Sequence, residues 1–389
     1  MRLSDVPIPD DAQERTLQVL RDAFVTRTPN PRRRTSVRPL ALIVLAAIAA
    51  TLAISAVAVS ASGGSVLNTV RDALGVRNAA AVLTRLPAPG RLLVNSSRGP
   101  WIVSADGAKR HLGGVEYTQA SWSPHGLFEV VVRHGSELAA IDPKGTLRWS
   151  LSRRLVNDPR WSGDGYRIAY RSGSALRVVA GDGTGDHLLA PSTAAAAPAW
   201  NGTSHQLAYG DRRGRIHLVN ADTGAPIWTS KPGPVPTQIA WGPSERQVVA
   251  LGRRSVRVLH ARDGSLFKEI PLGPGAHQLA VSPTGPAAVT TQSPLGQGSI
   301  VLLHPQHPWL APRTLFHGAG TFNNLVWSPN GQWLLASWSS ADQWVFIKLG
   351  IRSGAIQRVQ AVSSIAHQFN STTAPAFGGW CCAAGSASP

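Results

Sequence analysis

Six stretches of the chain repeat one pattern at a nearly constant interval. They are "ASWSPHGLFEVVV" ending at Val132, "PRWSGDGYRIAYR" at Arg171, "PAWNGTSHQLAYG" at Gly210, "IAWGPSERQVVAL" at Leu251, "LAVSPTGPAAVTT" at Thr291 and "LVWSPNGQWLLAS" at Ser337. The third position is Trp122, Trp161, Trp200, Trp241, Val281 and Trp327, at spacings of 39, 39, 41, 40 and 46 residues. Such a period means copies of one supersecondary unit, none of which can bury its apolar face alone. A second marker keeps the same interval. Asp106-Gly107, Pro143-Lys144-Gly145, Asp182-Gly183, Thr223-Gly224, Asp263-Gly264 and Ser353-Gly354 each follow an apolar run. These pairs favour tight hairpin turns, because glycine accepts a positive φ at little cost. Each unit therefore reads as strand A ending in Trp, a Ser-Pro-x-Gly type turn, strand B, strand C, a Gly turn and strand D. Four strands in roughly 40–45 residues predict a propeller blade.

The two ends of the repeat set the blade count. "RLLVNSS", "WIVSADG" and "KRHLGG" supply strands B, C and D with no A, and "APAFGGW" near the C-terminus supplies an A alone. Joined, they make a seventh blade, and closing the ring this way removes exposed sheet edges. The expected fold is all-β: a seven-bladed β-propeller closed by the C-terminal strand, preceded by a single transmembrane helix. The expected divisions are a short cytoplasmic segment (1–38), the span (39–62), a juxtamembrane stalk (63–89), the propeller (90–382) and a flexible tail (383–389). The recurring tryptophans, Trp122, Trp161, Trp200, Trp241, Trp327 and Trp380, read as inter-blade packing.

"WSPHG" and "WSPNG" resemble the Trp-Ser-Pro-Asp-Gly turn of TolB-type, WD-repeat-like propellers. The resemblance covers roughly residues 90–382; it implies the fold and says little about function. "AIDPKGTLRW" and "NADTGAPIW" also resemble the repeat of quinoprotein-type propellers. They occur only twice and read as ordinary C–D hairpins.

"PLALIVLAAIAATLAISAVAVSAS", from Pro39 to Ser62, carries no charge. It exceeds the roughly 20 apolar residues that cross a hydrocarbon core and outruns the h-region of a secretory signal. Arg32, Arg33, Arg34 and Arg38 precede it, and the next basic residue is Arg71. Positive charge stays inside. The expected location is therefore the cell membrane, single-pass, with the N-terminus cytoplasmic and the propeller extracytoplasmic. Within the inner segment, Asp11 and Glu14 form a capping-box pattern, and Leu17, Leu20, Ala23 and Phe24 then share one helix face. One amphipathic helix cannot make a core, so Leu17, Leu20 and Phe24 are candidates for a cytosolic partner. "SVLNTVRDALG" reads as a second short helix after the span.

The net charge is +17. Residues 1–38 hold 8 Arg against 5 acids, which leaves +14 beyond the span. A basic surface attracts polyanions. Outside the cell that means anionic lipid or an acidic envelope polymer, and nucleic acid is not an expected partner. Arginine far outnumbers lysine, a composition suggestive of a high-GC bacterial chain. The only cysteines, Cys381 and Cys382, are adjacent. Beyond the membrane they are candidates for a disulfide between neighbours, for links to a second copy or partner, or for a pair of free thiols.

The longest loops fall on the face carrying the B–C and D–A connections: 292–298, 316–324, 337–344 and 362–375. Loops on a rigid scaffold carry recognition residues. The expected ligand-binding residues are Asn323, Asn324, Trp338, Asp342, Gln343, Trp344, His367 and Phe369. "GDGTGDH" (181–187) offers Asp182 and Asp186 but too few oxygens for a calcium loop, and reads as a hairpin. No His-Glu-x-x-His, Gly-x-Ser-x-Gly or glycine-rich phosphate loop occurs, so no catalytic residue, metal or cofactor is expected. A binding or scaffold module for a protein, glycan or envelope polymer is the first reading. A transmembrane regulator resembling membrane-bound anti-sigma factors is the alternative. An enzyme, whether a hydrolase or a quinoprotein, comes last.

Overall fold

The computed structural model describes residues 82–382, apart from Thr203 and residues 351–353. The inner helix with Leu17, Leu20 and Phe24, the apolar run 39–62, the helix expected after it and the tail 383–389 lie outside the described residues. No helix among the described residues is long and apolar enough to cross a membrane.

Seven four-stranded antiparallel sheets follow one another. Blade 2 shows the plan: strand A Tyr117–Trp122, strand B Glu129–Arg133, strand C Glu137–Ile141 and strand D Leu147–Ser152. Blades 3 to 7 span residues 156–190, 199–229, 238–271, 278–319 and 322–363. Blade 1 is assembled from both ends, with Ala376–Cys381 as strand A beside Arg91–Ser96, Gly99–Val103 and Lys109–His111. Its register sets Leu92 opposite Trp380 and Arg91 opposite Cys381. Strand A of each blade touches strand A of the next, all the way round and back to blade 1. The ring is closed, and the C-terminal strand closes it.

The Trp-Ser-Pro-x-Gly turn has a local cause. The amides of Phe128, Arg167 and Trp333 donate to Ser123, Ser162 and Ser328 Oγ at 3.0, 2.9 and 3.0 Å, so each serine staples its turn from A to B. The glycines Gly126, Gly165 and Gly331 take φ of 64°, 78° and 66° there. In blade 5 this place falls to Glu245, at φ 57°.

Strands B and C are buried from both sides, so their side chains alternate between two junctions. Val131 and Ala139 pack towards blade 1, while Val130, Val132 and Leu138 pack towards blade 3. The strand-A tryptophans do more than fill these junctions. Trp122, Trp200, Trp241 and Trp327 each donate their indole N–H to the preceding blade's strand A, at Gly379, Arg160, Ala199 and Ala280 O (3.2, 2.9, 2.9 and 3.0 Å). Each acceptor is the residue just before that blade's own repeat position. The indoles thus tie neighbouring inner strands together by both area and hydrogen bond.

The seam between blades 7 and 1 is filled from outside the repeat. Leu83, Leu86 and Ala88 of the entering chain join Trp344, Phe346, Ile365, Phe369 and Trp380 in one buried cluster. Phe369 follows a single helical turn, Ile365–Gln368, and its ring lies 5.0 Å from Trp344 and 6.0 Å from Trp101.

Candidate functional site

The structure corrects the expected binding loops. Residues 337–344 form no long loop: Trp333–Trp338 and Gln343–Leu349 are strands B and C of blade 7, joined by a 3-10 turn, Ser339–Ala341. Trp338, Gln343, Trp344 and Phe369 are each at most 2% exposed, so none can meet a ligand from solvent. The reason is apolar burial at the closure. The Trp338 indole packs between blades 6 and 7 and donates to Ala319 O at 2.8 Å, and Trp344 packs on Phe369 and Phe377 in the seam. Asp342 accepts the Ala366 amide at 2.8 Å and tethers the helical turn. Asn323 and Asn324 lie within strand A of blade 7, Phe322–Trp327. Asn323 and His367 are exposed, yet the buried residues between them keep these eight from forming one surface.

Three cavities lie on the opposite face, where the A–B and C–D turns meet at blade junctions. One of about 680 Å³ opens between blades 2 and 3, one of about 560 Å³ between blades 4 and 5, and one of about 330 Å³ between blades 6 and 7. The first two occupy equivalent places in the repeat. At both junctions a strand-D tryptophan docks on the next blade's C–D turn, and Trp149 lines the first cavity. Trp149 donates to Gly181 O at 2.8 Å, and Trp228 donates to Ala261 O at 2.7 Å. A Cβ on Gly183 would stand 2.7 Å from the Trp149 ring, and one on Gly264 would stand 2.4 Å from Trp228. The two hairpins read as ordinary are therefore inter-blade docking sites. Their Trp-then-Gly pairing one blade apart was the available signal.

The three cavities differ in chemistry. Asn201, Gln206, Glu245, Arg246 and His260 line the one between blades 4 and 5, and His304, Gln306 and His307 contribute to the one between blades 6 and 7. The cavity between blades 2 and 3 is walled instead by Phe128, Trp149, Trp161 and Tyr166, with Arg148 and Asp182 as its charged groups. Tyr166 is 73% exposed. Strand A of blade 3 carries an irregularity between Asn157 and Arg160, with Asp158 at φ 54°. Beside it, the Trp161 indole N–H is buried with no hydrogen-bond partner, as is that of Trp380, whereas those of Trp122, Trp200, Trp241 and Trp327 are bonded.

Asp182 and Asp186 have separate duties. Asp182 Oδ1 accepts Thr184 N and Oγ1 at 3.0 and 2.7 Å, bracing its own turn. Asp186 gathers Arg153, Arg177 and Tyr170. Burial pushes its carboxyl up, but hydrogen bonds from Arg177, Tyr170 and Arg153 outweigh that and hold it below the usual range. Among the described residues no group of three or more His, Cys, Asp or Glu is placed to hold a metal ion.

Between blades 1 and 2 stands a residue that the sequence reading missed. Glu129 is fully buried, and neither carboxylate oxygen has a hydrogen-bond partner. It sits opposite Trp122. The same place in the other blades holds Ile168, Leu207, Val248, Ala287, Leu334 and Leu92. Burial pushes its pKa up to about 8, against the pull of Arg91 and Arg110. Aligning strand B at that single column would have exposed the anomaly. In the same junction the Arg91 guanidinium lies 4.9 Å from the Trp122 ring centroid and donates to Gly126 O at 2.7 Å. Cys381 and Cys382 are joined to each other by a disulfide and lie against Pro124 O of blade 2.

No protein-family model matches the chain, and no curated protein matches it in sequence. Solved structures do match in shape. A KlHsv2 structure, with loop 6CD replaced by a Gly-Ser linker, is 13% identical; the match covers 70% of this chain and 95% of that one, with a TM-score of 0.55. A chain of the Mitotic Checkpoint Complex is 18% identical over 67% of this chain and 90% of its own, with a TM-score of 0.52. The β-propeller domain of Myceliophteria thermophila Cps50 (Swd1) aligns at 13% identity over 63% and 85%, with a TM-score of 0.49. These likenesses speak to fold alone. The protein is a seven-bladed β-propeller.

Proposed function

We propose that this chain is a membrane-anchored, extracytoplasmic binding module, whose rigid ring holds a protein, glycan or envelope polymer near the cell surface. The observation that carries the anchor is the uncharged run 39–62 directly behind Arg32, Arg33, Arg34 and Arg38. The closed ring supports the binding role, since rigid propellers present turns and junction cavities as preformed sites. In membrane fractionation, the full chain is expected to stay in the pellet through an alkaline carbonate wash and to leave it only with detergent. Release by carbonate or salt alone would refute the anchor. The apolar face Leu17, Leu20 and Phe24 favours a second, compatible role, in which the inner helix holds a cytosolic partner as a transmembrane regulator does. Pull-down with the full chain and its Leu17→Asp/Phe24→Asp variant tests this: a partner lost in the variant supports it, and the same proteins recovered with both refutes it.

A further inference from the structure

We propose that the cavity between blades 2 and 3 is a binding site for a neutral saccharide. The inference rests on the binding-module reading and gives it a site and a ligand class.

The first support is the composition of the walls. Phe128, Trp149, Trp161 and Tyr166 surround a space of about 680 Å³, within the range of roughly 300–1,000 Å³ usual for small-molecule sites. Aromatic faces carry negative charge density and attract the weakly positive C–H face of a sugar ring. Tyr166 is 73% and Phe128 37% exposed, although large aromatics are ordinarily drawn into a core. The cavity between blades 4 and 5 has the same construction without this lining: Arg246 and Glu245 stand where Tyr166 and Gly165 do.

The second support is the set of polar atoms. Asp182 uses Oδ1 for its turn, and its Oδ2 has no protein partner among the described residues. Arg148 spends one nitrogen on Asp142 Oδ2 at 2.9 Å and keeps its others. One acceptor and one donor therefore border a single aromatic space.

Charge then decides among ligand classes. A cation would be welcomed by Asp182 and the rings, but it meets Arg148 and a chain of net charge +17. An anion would meet the Asp182 carboxylate. A purely apolar guest would strip water from Arg148 and Asp182. A neutral polyhydroxylated ring satisfies both groups, because each hydroxyl both donates and accepts.

The test is titration calorimetry on the full chain in a sugar-free detergent, with cellotriose, maltotriose and mannotriose as probes and with glucuronic acid and trimethyllysine as charged comparisons. Saturable binding of at least one trisaccharide is expected. Tyr166→Ala and Asp182→Asn, both at exposed positions, should each weaken it by about tenfold or more. Arg246→Ala, in the equivalent cavity, should leave it unchanged. The proposal is overturned if no trisaccharide binds, if binding ignores Tyr166→Ala and Asp182→Asn, if it follows Arg246 instead, or if a charged probe binds more tightly. None of these results bears on membrane fractionation, so failure of the site is distinct from failure of the anchor.

Discussion

Glu129 is where one side chain most openly contradicts its surroundings. Six blades bury an aliphatic residue opposite the strand-A repeat position, and blade 2 buries a carboxyl group. Burial favours the neutral acid, and Arg91 and Arg110 offset this only in part, with Asp142 adding to the rise. The sign of the pH effect follows. The folded pKa of about 8 lies above the unfolded reference of 4.5, so the folded state holds a proton that the unfolded chain has lost. That contribution is fully present below pH 4.5 and is lost as pH rises through about 8. Denaturant unfolding should therefore show stability falling by up to about 1.4 kcal/mol per pH unit in this window. Glu129→Gln should flatten that slope, and an equal slope in both proteins would disprove the assignment. The tryptophans offer a paired comparison. Trp241→Phe removes a ring edge and a hydrogen bond, whereas Trp161→Phe removes a donor that has no partner. The first should cost about 1 kcal/mol more than the second, and equal losses would show that the indole bonds add nothing to ring burial.

Among the strands, Ala376–Cys381 bears the closure. It covers Arg91–Ser96, whose Leu92, Leu93 and Val94 are fully buried, and its Gly379 O receives the Trp122 indole of blade 2. A chain ending at Asn370 would leave that edge and those side chains open. It should elute as aggregates on size exclusion, while a monodisperse truncated chain with an unchanged melting temperature would show that the strand is dispensable. The blade count and the split blade were legible because the repeat recurs in every blade: Trp at the end of strand A in six of seven, Gly at most turns, largely apolar strands B and C. The binding surface was not legible, because length in sequence was taken for exposure. Residues 362–375 run long in order to fill a seam, with Phe369 and Ile365 as the filling. The aromatic cavity escaped notice because Phe128, Trp149, Trp161 and Tyr166 come from two repeats and converge only when blades stack. Glu129 was hidden by a pattern defined on strand A and never read across to strand B.

The whole molecule joins a rigid ring to an N-terminal stretch whose sequence carries the membrane reading. In that reading, the disulfide of Cys381 and Cys382 belongs to an oxidising compartment, the basic surface faces the envelope, and the aromatic cavity opens to ligands outside the cell. All three depend on which side of the membrane holds the ring. The decisive measurement is a pair of fusions to the C-terminus of the full chain in living bacterial cells, one to alkaline phosphatase and one to green fluorescent protein. Active phosphatase with a dark fluorescent fusion places the propeller outside, as proposed. A bright fluorescent fusion with inactive phosphatase would put the ring in the cytoplasm and overturn the extracytoplasmic binding module.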